Sequence, residues 1–264
     1  MEKVTIVIPA YKSELNQYEE ISLRAAADRL GNYPVTFVIP AGLDVSRMKE
    51  IMPSAKVEEF SAAYFQGIAG YNRLMMSEEF YSRFTDYKYI LIYQLDAYVF
   101  SDKLDEWCDK GYDYIGAPWL LRPIYNNPLL KVGSKIKHGF RKIMQLPDAR
   151  ATWWRVGNGG LSLRKVESHL NAVKNLRPVI DRFLEHRNHL YNEDVFFSVE
   201  VNRHGVGFIY PDWQEALDFA FDKYPALCFR LNGNRLPFGC HAWQKRRMRK
   251  FWFPIILDHK PPIA

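Results

Sequence analysis

Residues 89–100, YILIYQLDAYVF, run as an almost unbroken apolar stretch to a single carboxylate, Asp96. An ionised side chain at the end of a buried strand is costly unless a cation or hydrogen-bond donors compensate it. A divalent ion bridging two phosphates is one such compensation, and the cap of a following turn is the plainer one. A second stretch, VGNGGLSLR (156–164), carries Gly157, Gly159 and Gly160. Glycine inside a strand loses backbone entropy and packs nothing, so three together imply a close approach to the backbone, or else a bulge or tight corner. A third, YNEDVFFSV (191–199), sets Glu193 and Asp194 ahead of Val195, Phe196 and Val199. With Asn192 as cap, the helix dipole alone accounts for acids in a first turn. The fourth, LPFGCHAWQ (236–244), places His241 between Gly239-Cys240 and Trp243, where a satisfied, half-buried histidine is the ordinary expectation.

These residues need elements to hold them. VTIVIPAY (4–11) reads as a first strand entering a loop at Pro9, and Ser13 as the cap of a helix that Gly31 stops. VTFVIP (35–40) and KVEEF (56–60) are further strands, with a short helical pattern through Val45, Met48 and Met52 between them. Ile68, Tyr71, Met75 and Phe80 mark a longer helix leading to YILIY, a fully buried central strand. Such β-loop-α repetition predicts an α/β fold, a mostly parallel central sheet with helices on both faces, whose ligands bind at the carboxyl ends of the strands. Asp96 lies at such an end. WWRVGNGGLSLR (153–164) reads as a strand interrupted by glycines, and helices are predicted near 165–175, 178–188 and 193–203. A single domain over 1–244 is expected, interrupted by a basic excursion at 120–152 and followed by a basic, aromatic tail at 245–264.

Taken in order, these motifs resemble the GT-A class of nucleotide-sugar-dependent glycosyltransferases, over roughly residues 4 to 243. In that class an apolar strand ends in Asp-x-Asp; the matching residues are Gln94-Leu95-Asp96, so an amide stands where the first carboxylate is usual. The resemblance implies Asp96 and His241 as ligands of a divalent metal, Mn2+ or Mg2+, with Gln94 left to bind water, ribose or a phosphate. It implies that Pro9, Ala10 and Tyr11 receive the nucleoside, that Asn72 in GIAGYNRL presents a polar group to it, and that Gly159 and Gly160 lie beneath the donor sugar. Glu-Asp-Val at 193–195 is similar to the motif of inverting Fringe-like and β-1,3-glycosyltransferases, whose Asp is the catalytic base. Displacement at an anomeric carbon requires the incoming hydroxyl to lose a proton, so Asp194 is the first choice for that base and Glu193 the second. The expected activity is transfer of a sugar from a nucleotide diphosphate donor, UDP-sugar favoured, to a hydroxyl of a glycan or lipid-linked acceptor, in a bacterial family.

Composition bounds the alternatives. With 264 residues and 48% hydrophobic content the chain is not disordered and can bury a sizeable core. No window reaches the roughly 18–20 apolar residues of a membrane span and the N-terminus enters a strand directly, so a cytoplasmic protein is expected. Cys108, Cys228 and Cys240 are too scattered for a disulfide framework or a zinc site. The +6 net charge favours an anionic partner. Lys131, Lys135, Lys137, Arg141 and Lys142 in the excursion suit an acidic acceptor or phosphate, and the tail QKRRMRKFWFPII (244–256) suits peripheral contact with an anionic membrane. Two other readings stay open. Nucleotidyl transfer on a related sheet would call for a glycine-rich basic loop after the first strand, which PAYKSEL is not. A non-catalytic membrane- or nucleic-acid-binding protein explains the charge, but neither the glycines nor Asp96.

Overall fold

A computed structural model describes residues 1–121 and 149–262. Most of the basic excursion, including Lys131, Lys135, Lys137, Arg141 and Lys142, lies outside them. Six strands form the main sheet: β1 (Glu2–Pro9), β2 (Val35–Pro40), β3 (Lys56–Phe60), β4 (Tyr87–Tyr93), β6 (Tyr114–Gly116) and β7 (Leu161–Lys165), in the order β3-β2-β1-β4-β7-β6. β7 is antiparallel to both its neighbours, while β3, β2, β1 and β4 pair in parallel. A second sheet joins β5 (Ala97–Val99), β9 (Gly239–His241) and β8 (Ala220–Phe221), in that order.

The central strands read as continuous apolar runs because both their faces are buried. Ile6, Ile8, Leu91 and Tyr93 enter one core, beneath the helices Gln17–Leu30 and Leu104–Asp109. Val7, Ile90 and Ile92 enter another, with residues of Gly67–Met75, Val166–Asn175 and Arg177–Leu184. The chain adds β2 and β3 on one side of β1 and β4 on the other, so strand order reverses between β1 and β4. Pro9 to Tyr11 and Gln94 to Asp96 both emerge at that reversal, where open α/β sheets leave a crevice.

Three local expectations shift. The single helix expected through Ile68, Tyr71, Met75 and Phe80 is two, Gly67–Met75 and Glu78–Ser82, because Ser77 Oγ accepts from the Phe80 N–H and starts the second. The first helix begins at Gln17, not after Ser13, because Asn16 and Glu19 form a reciprocal capping box. Ser13 has no Glu or Gln three residues on with which to build one. The glycines at 157, 159 and 160 precede β7 instead of interrupting it. Asn158 turns the chain there at φ +83°, and its Oδ1 accepts from the Gly160 N–H at 2.9 Å.

The sequence predicts a separate tail over residues 245–264. In the structure Arg249–Ile256 is a helix that buries Trp252, Ile255 and Ile256 against Phe221, Cys240 and Trp243. The Trp243 indole N–H donates to Ser22 Oγ at 2.9 Å, tying this third core to the first helix. Among the described residues, no helix is long and apolar enough to cross a membrane.

Candidate active site

The small sheet sets three side chains in one row. Ala97 lies opposite His241 across β5 and β9, and Phe221 lies beside Cys240 across β8 and β9. Asp96, just before β5, and Asp222, just after β8, therefore flank His241. Its Nδ1 lies 3.3 Å from Asp222 Oδ1 in hydrogen-bond geometry. Its Nε2 lies 3.0 Å from Asp96 Oδ1 but off the hydrogen-bond line, and is buried with no hydrogen-bond partner among the described residues. Burial alone would lower the imidazole pKa, but the Asp96 charge and the bond to Asp222 push it up to about 9. Burial would raise the Asp96 pKa; His241 and then Lys245, whose Nζ is 3.6 Å from Oδ2, outweigh it and hold the carboxyl below its ordinary value.

The glycines serve the acids and the histidine directly. A Cβ on Gly159 would stand 2.0 Å from Glu193 Oε1. At Gly160 the equivalent position is filled by the His241 ring. The close approach expected from sequence is thus made by the protein's own side chains.

Glu193 is 2% exposed and fixed by Arg164, itself fully buried, with Nη2 3.0 Å from Oε2 and 3.2 Å from Oε1. Arg164 also donates to Tyr81 Oη at 3.1 Å and Ser162 Oγ at 3.0 Å. The Glu193 N–H donates to Asn72 Oδ1 at 3.1 Å, and Asn72 Nδ2 donates to Asn192 Oδ1 at 3.2 Å. Asn72, expected to face the nucleotide, thus spends both ends of its amide on the start of the Glu193 helix. That helix opens over Glu193–Val195, widens into a π-turn over Phe196–Glu200 and closes over Val201–Arg203.

Asp194 lies beside Glu193 in a different setting. Its Oδ1 accepts from the Val195 N–H at 2.8 Å. Burial, and then the Glu193 charge, push its pKa up to about 7. Although deep, it is reached from solvent: it lines a pocket of about 350 Å³ with Trp119, Trp153, Lys223, Tyr224 and Arg247.

A second pocket, of about 480 Å³, opens at the strand reversal. Pro9, Ala10, Tyr11, Gln94 and Asp96 line it together with Tyr64, Tyr71 and Gln244. Tyr11 is 66% exposed, so its ring is free to stack on a ligand. The structure brings Pro9, Ala10, Tyr11, Gln94 and Asp96 to one pocket and Asp194 to another, with His241 reaching Asp96 from the small sheet.

Sequence reasoning missed Asp222, Lys245, Tyr71 and Arg164. Asp222 carried a usable signal, because FAFD ends an apolar run in a carboxylate just as YQLD does. Arg164 carried another, since a cation alternating with Leu161 and Leu163 in a strand buried on both faces must be paired.

A family model described as "Protein of unknown function (DUF5672)" matches residues 54–241. The chain belongs to this family. No curated protein matches the sequence. Among solved structures, a galactosyltransferase LgtC determined with donor and acceptor sugar analogues superposes with a TM-score of 0.58 at 11% identity, covering 98% of this chain and 97% of that one. The glycosyltransferase GlyE of Streptococcus pneumoniae gives 0.53 at 12% identity, covering 97% of this chain, which spans only 61% of GlyE. At such identities the likeness establishes the fold: a GT-A type α/β architecture with a mainly parallel sheet.

Proposed function

We propose that this chain is a glycosyltransferase that moves a sugar from a nucleotide diphosphate donor, a UDP-sugar by preference, to an acceptor hydroxyl with inversion. The observation that carries the reading is the division of labour between the two pockets. One gathers Tyr11, Gln94 and Asp96 at the strand reversal, and the other has Asp194 in its wall.

In this reading Tyr11 stacks on the base and the Pro9-Ala10 backbone holds the nucleoside. Gln94 binds a ribose or phosphate oxygen. The acceptor enters the Asp194 pocket, and its oxygen bonds to the anomeric carbon as the bond to the diphosphate breaks, the electron pair leaving on the phosphate oxygen. Asp194 takes the hydroxyl proton, and a carboxylate with a pKa of about 7 is well matched to that task near neutral pH. Glu193, engaged by Arg164, is better suited to holding Asp194 in place than to accepting the proton.

The residues fit a metal ion of reduced protein ligation. Asp96 Oδ1 and His241 Nε2 lie 3.0 Å apart, so a metal held between them would take the place of the imidazole proton, and Asp222 fixes the ring through its other nitrogen, the usual arrangement behind a ligating histidine. Among the described residues no group of three or more His, Cys, Asp or Glu side chains suits an ion. Asp96 and His241 would therefore hold it alone with donor oxygens and water, and the imidazole favours Mn2+ over Mg2+. When bound, such an ion would neutralise charge on the departing diphosphate. Lys245, already beside Asp96, adds a second positive charge there.

The experiment is a thermal-shift comparison of UDP-, GDP-, CMP- and dTDP-sugars, with and without Mn2+. Stabilisation by one nucleotide family, larger with metal, is expected; a ligand at a hundred times its Kd adds about 2.7 kcal/mol. No shift with any donor would overturn the reading.

A further inference from the structure

The Asp194 pocket carries charge that proton transfer does not use. Lys223 and Arg247 both line it, both are exposed, and neither has a carboxylate within ion-pair distance among the described residues. They arrive from separate segments, one directly after a residue of the row and the other just after a lysine that approaches it. Lys223 succeeds Asp222, which bonds His241, and Arg247 lies two residues after Lys245, which approaches Asp96. Tyr224, also in the wall, adopts a left-handed backbone at φ +56°. For an aromatic residue that conformation is strained and persists only where the surroundings enforce it. The turn that presents Lys223 and Tyr224 to the pocket is therefore a held conformation. Trp119 and Trp153 add aromatic surface, and a volume of about 350 Å³ suits one or two sugar rings.

We propose that the acceptor is an acidic sugar unit, bearing a carboxylate or phosphate that Lys223 and Arg247 grip while Asp194 faces the attacked hydroxyl. A neutral sugar would be served by the tryptophans and by hydrogen bonds, with no role for two cations converging from different segments. A charged substituent engages both, and charge-assisted bonds to a lysine and an arginine are about twice as strong as neutral ones. The anion also fixes which hydroxyl meets the base, since its distance from the attacked oxygen must span the gap between the cations and Asp194. This inference rests on the transferase reading and names the substrate class of the same site.

The test is calorimetric titration of the full chain, in the presence of UDP, with glucose, glucuronate and glucose 6-phosphate at low and high salt. One or both acids should bind at least about tenfold more tightly than glucose and lose that advantage at high salt. The stronger of the two identifies carboxylate or phosphate as the substituent. In the double variant Lys223→Gln/Arg247→Gln the affinities should converge on that of glucose. Both side chains are exposed, so an unchanged melting temperature verifies the fold. Equal binding of the three sugars, binding of none, or a preference surviving in the double variant overturns the inference. A separate UDP titration reads the other pocket. UDP binding without charge discrimination defeats this inference alone, whereas absence of UDP binding defeats the transferase reading.

Discussion

A Cβ on Gly160 would stand 2.1 Å from the Nε2 of His241, inside the imidazole's own volume. The smallest possible enlargement, Gly160→Ala, must therefore displace the ring from its place beside Asp96 and Asp222. Because the ring is also held by Asp222, it has little freedom to yield. UDP affinity measured by calorimetry with Mn2+ should fall about 10- to 100-fold, the usual cost of disturbing the support of a metal ligand. Unchanged affinity would mean that His241 takes no part in donor binding.

Replacing Asp194 with Asn removes the proposed base while keeping its shape. Turnover should fall by about 10²- to 10⁴-fold and UDP binding should stay within about twofold. The wild-type rate should rise with pH through an inflection near the carboxyl pKa of about 7, and the variant should lack that limb. Near-native turnover in the variant would remove Asp194 from the mechanism.

The same carboxyl sets a pH dependence of stability. Its folded pKa of about 7 lies above the ordinary 3.8, so between those values the native state holds a proton that the unfolded chain releases. Its contribution to stability is thus greatest in acid and is lost as pH rises through this window. Asp194→Asn should raise the melting temperature at pH 8 and leave it nearly unchanged near pH 4. An equal shift at both values would exclude the titration as its cause.

The Arg164–Glu193 pair is buried on both sides, so removing one partner strands the other charge. Glu193→Leu or Arg164→Met should each destabilise the chain by about 3–5 kcal/mol in urea unfolding. The double variant Arg164→Met/Glu193→Leu should recover much of that loss. A double variant as unstable as the sum of the singles would show that the two side chains act independently.

Trp252 is fully buried in the third core. Trp252→Ala should cost about 3–5 kcal/mol, as aromatic deletions in cores do. Substitution without effect on the melting temperature would restore the idea of a separate tail.

The sheet was legible in the sequence because strands buried on both faces leave unbroken apolar runs that few other structures produce. Gln94 and Asp96 stood out for a related reason: polar groups at the end of such a run must be explained. Asn72 misled because its neighbour Tyr71 faces the pocket while its own amide turns to Glu193, and a helix advances about 100° per residue. Cysteine and charge counts had no bearing on the small sheet. Its strands of two or three residues carry too little periodicity to be seen, yet their register brings Asp96, His241 and Asp222 together.

That short sheet also gives the site a place in the order of folding. Ala97 and His241 are separated by more than half the chain, and their pairing closes one of its longest loops. Local helices and the early strands β1 to β4 can assemble without it. The row of Asp96, His241 and Asp222 needs the C-terminal segment in place, which in the folded chain is tied to the first helix through Trp243 and Ser22. Contacts of such long range form late, because loop entropy is lost before they give anything in return. Donor binding would then be absent from partly folded chains, and its appearance during refolding would time the arrival of the last segment.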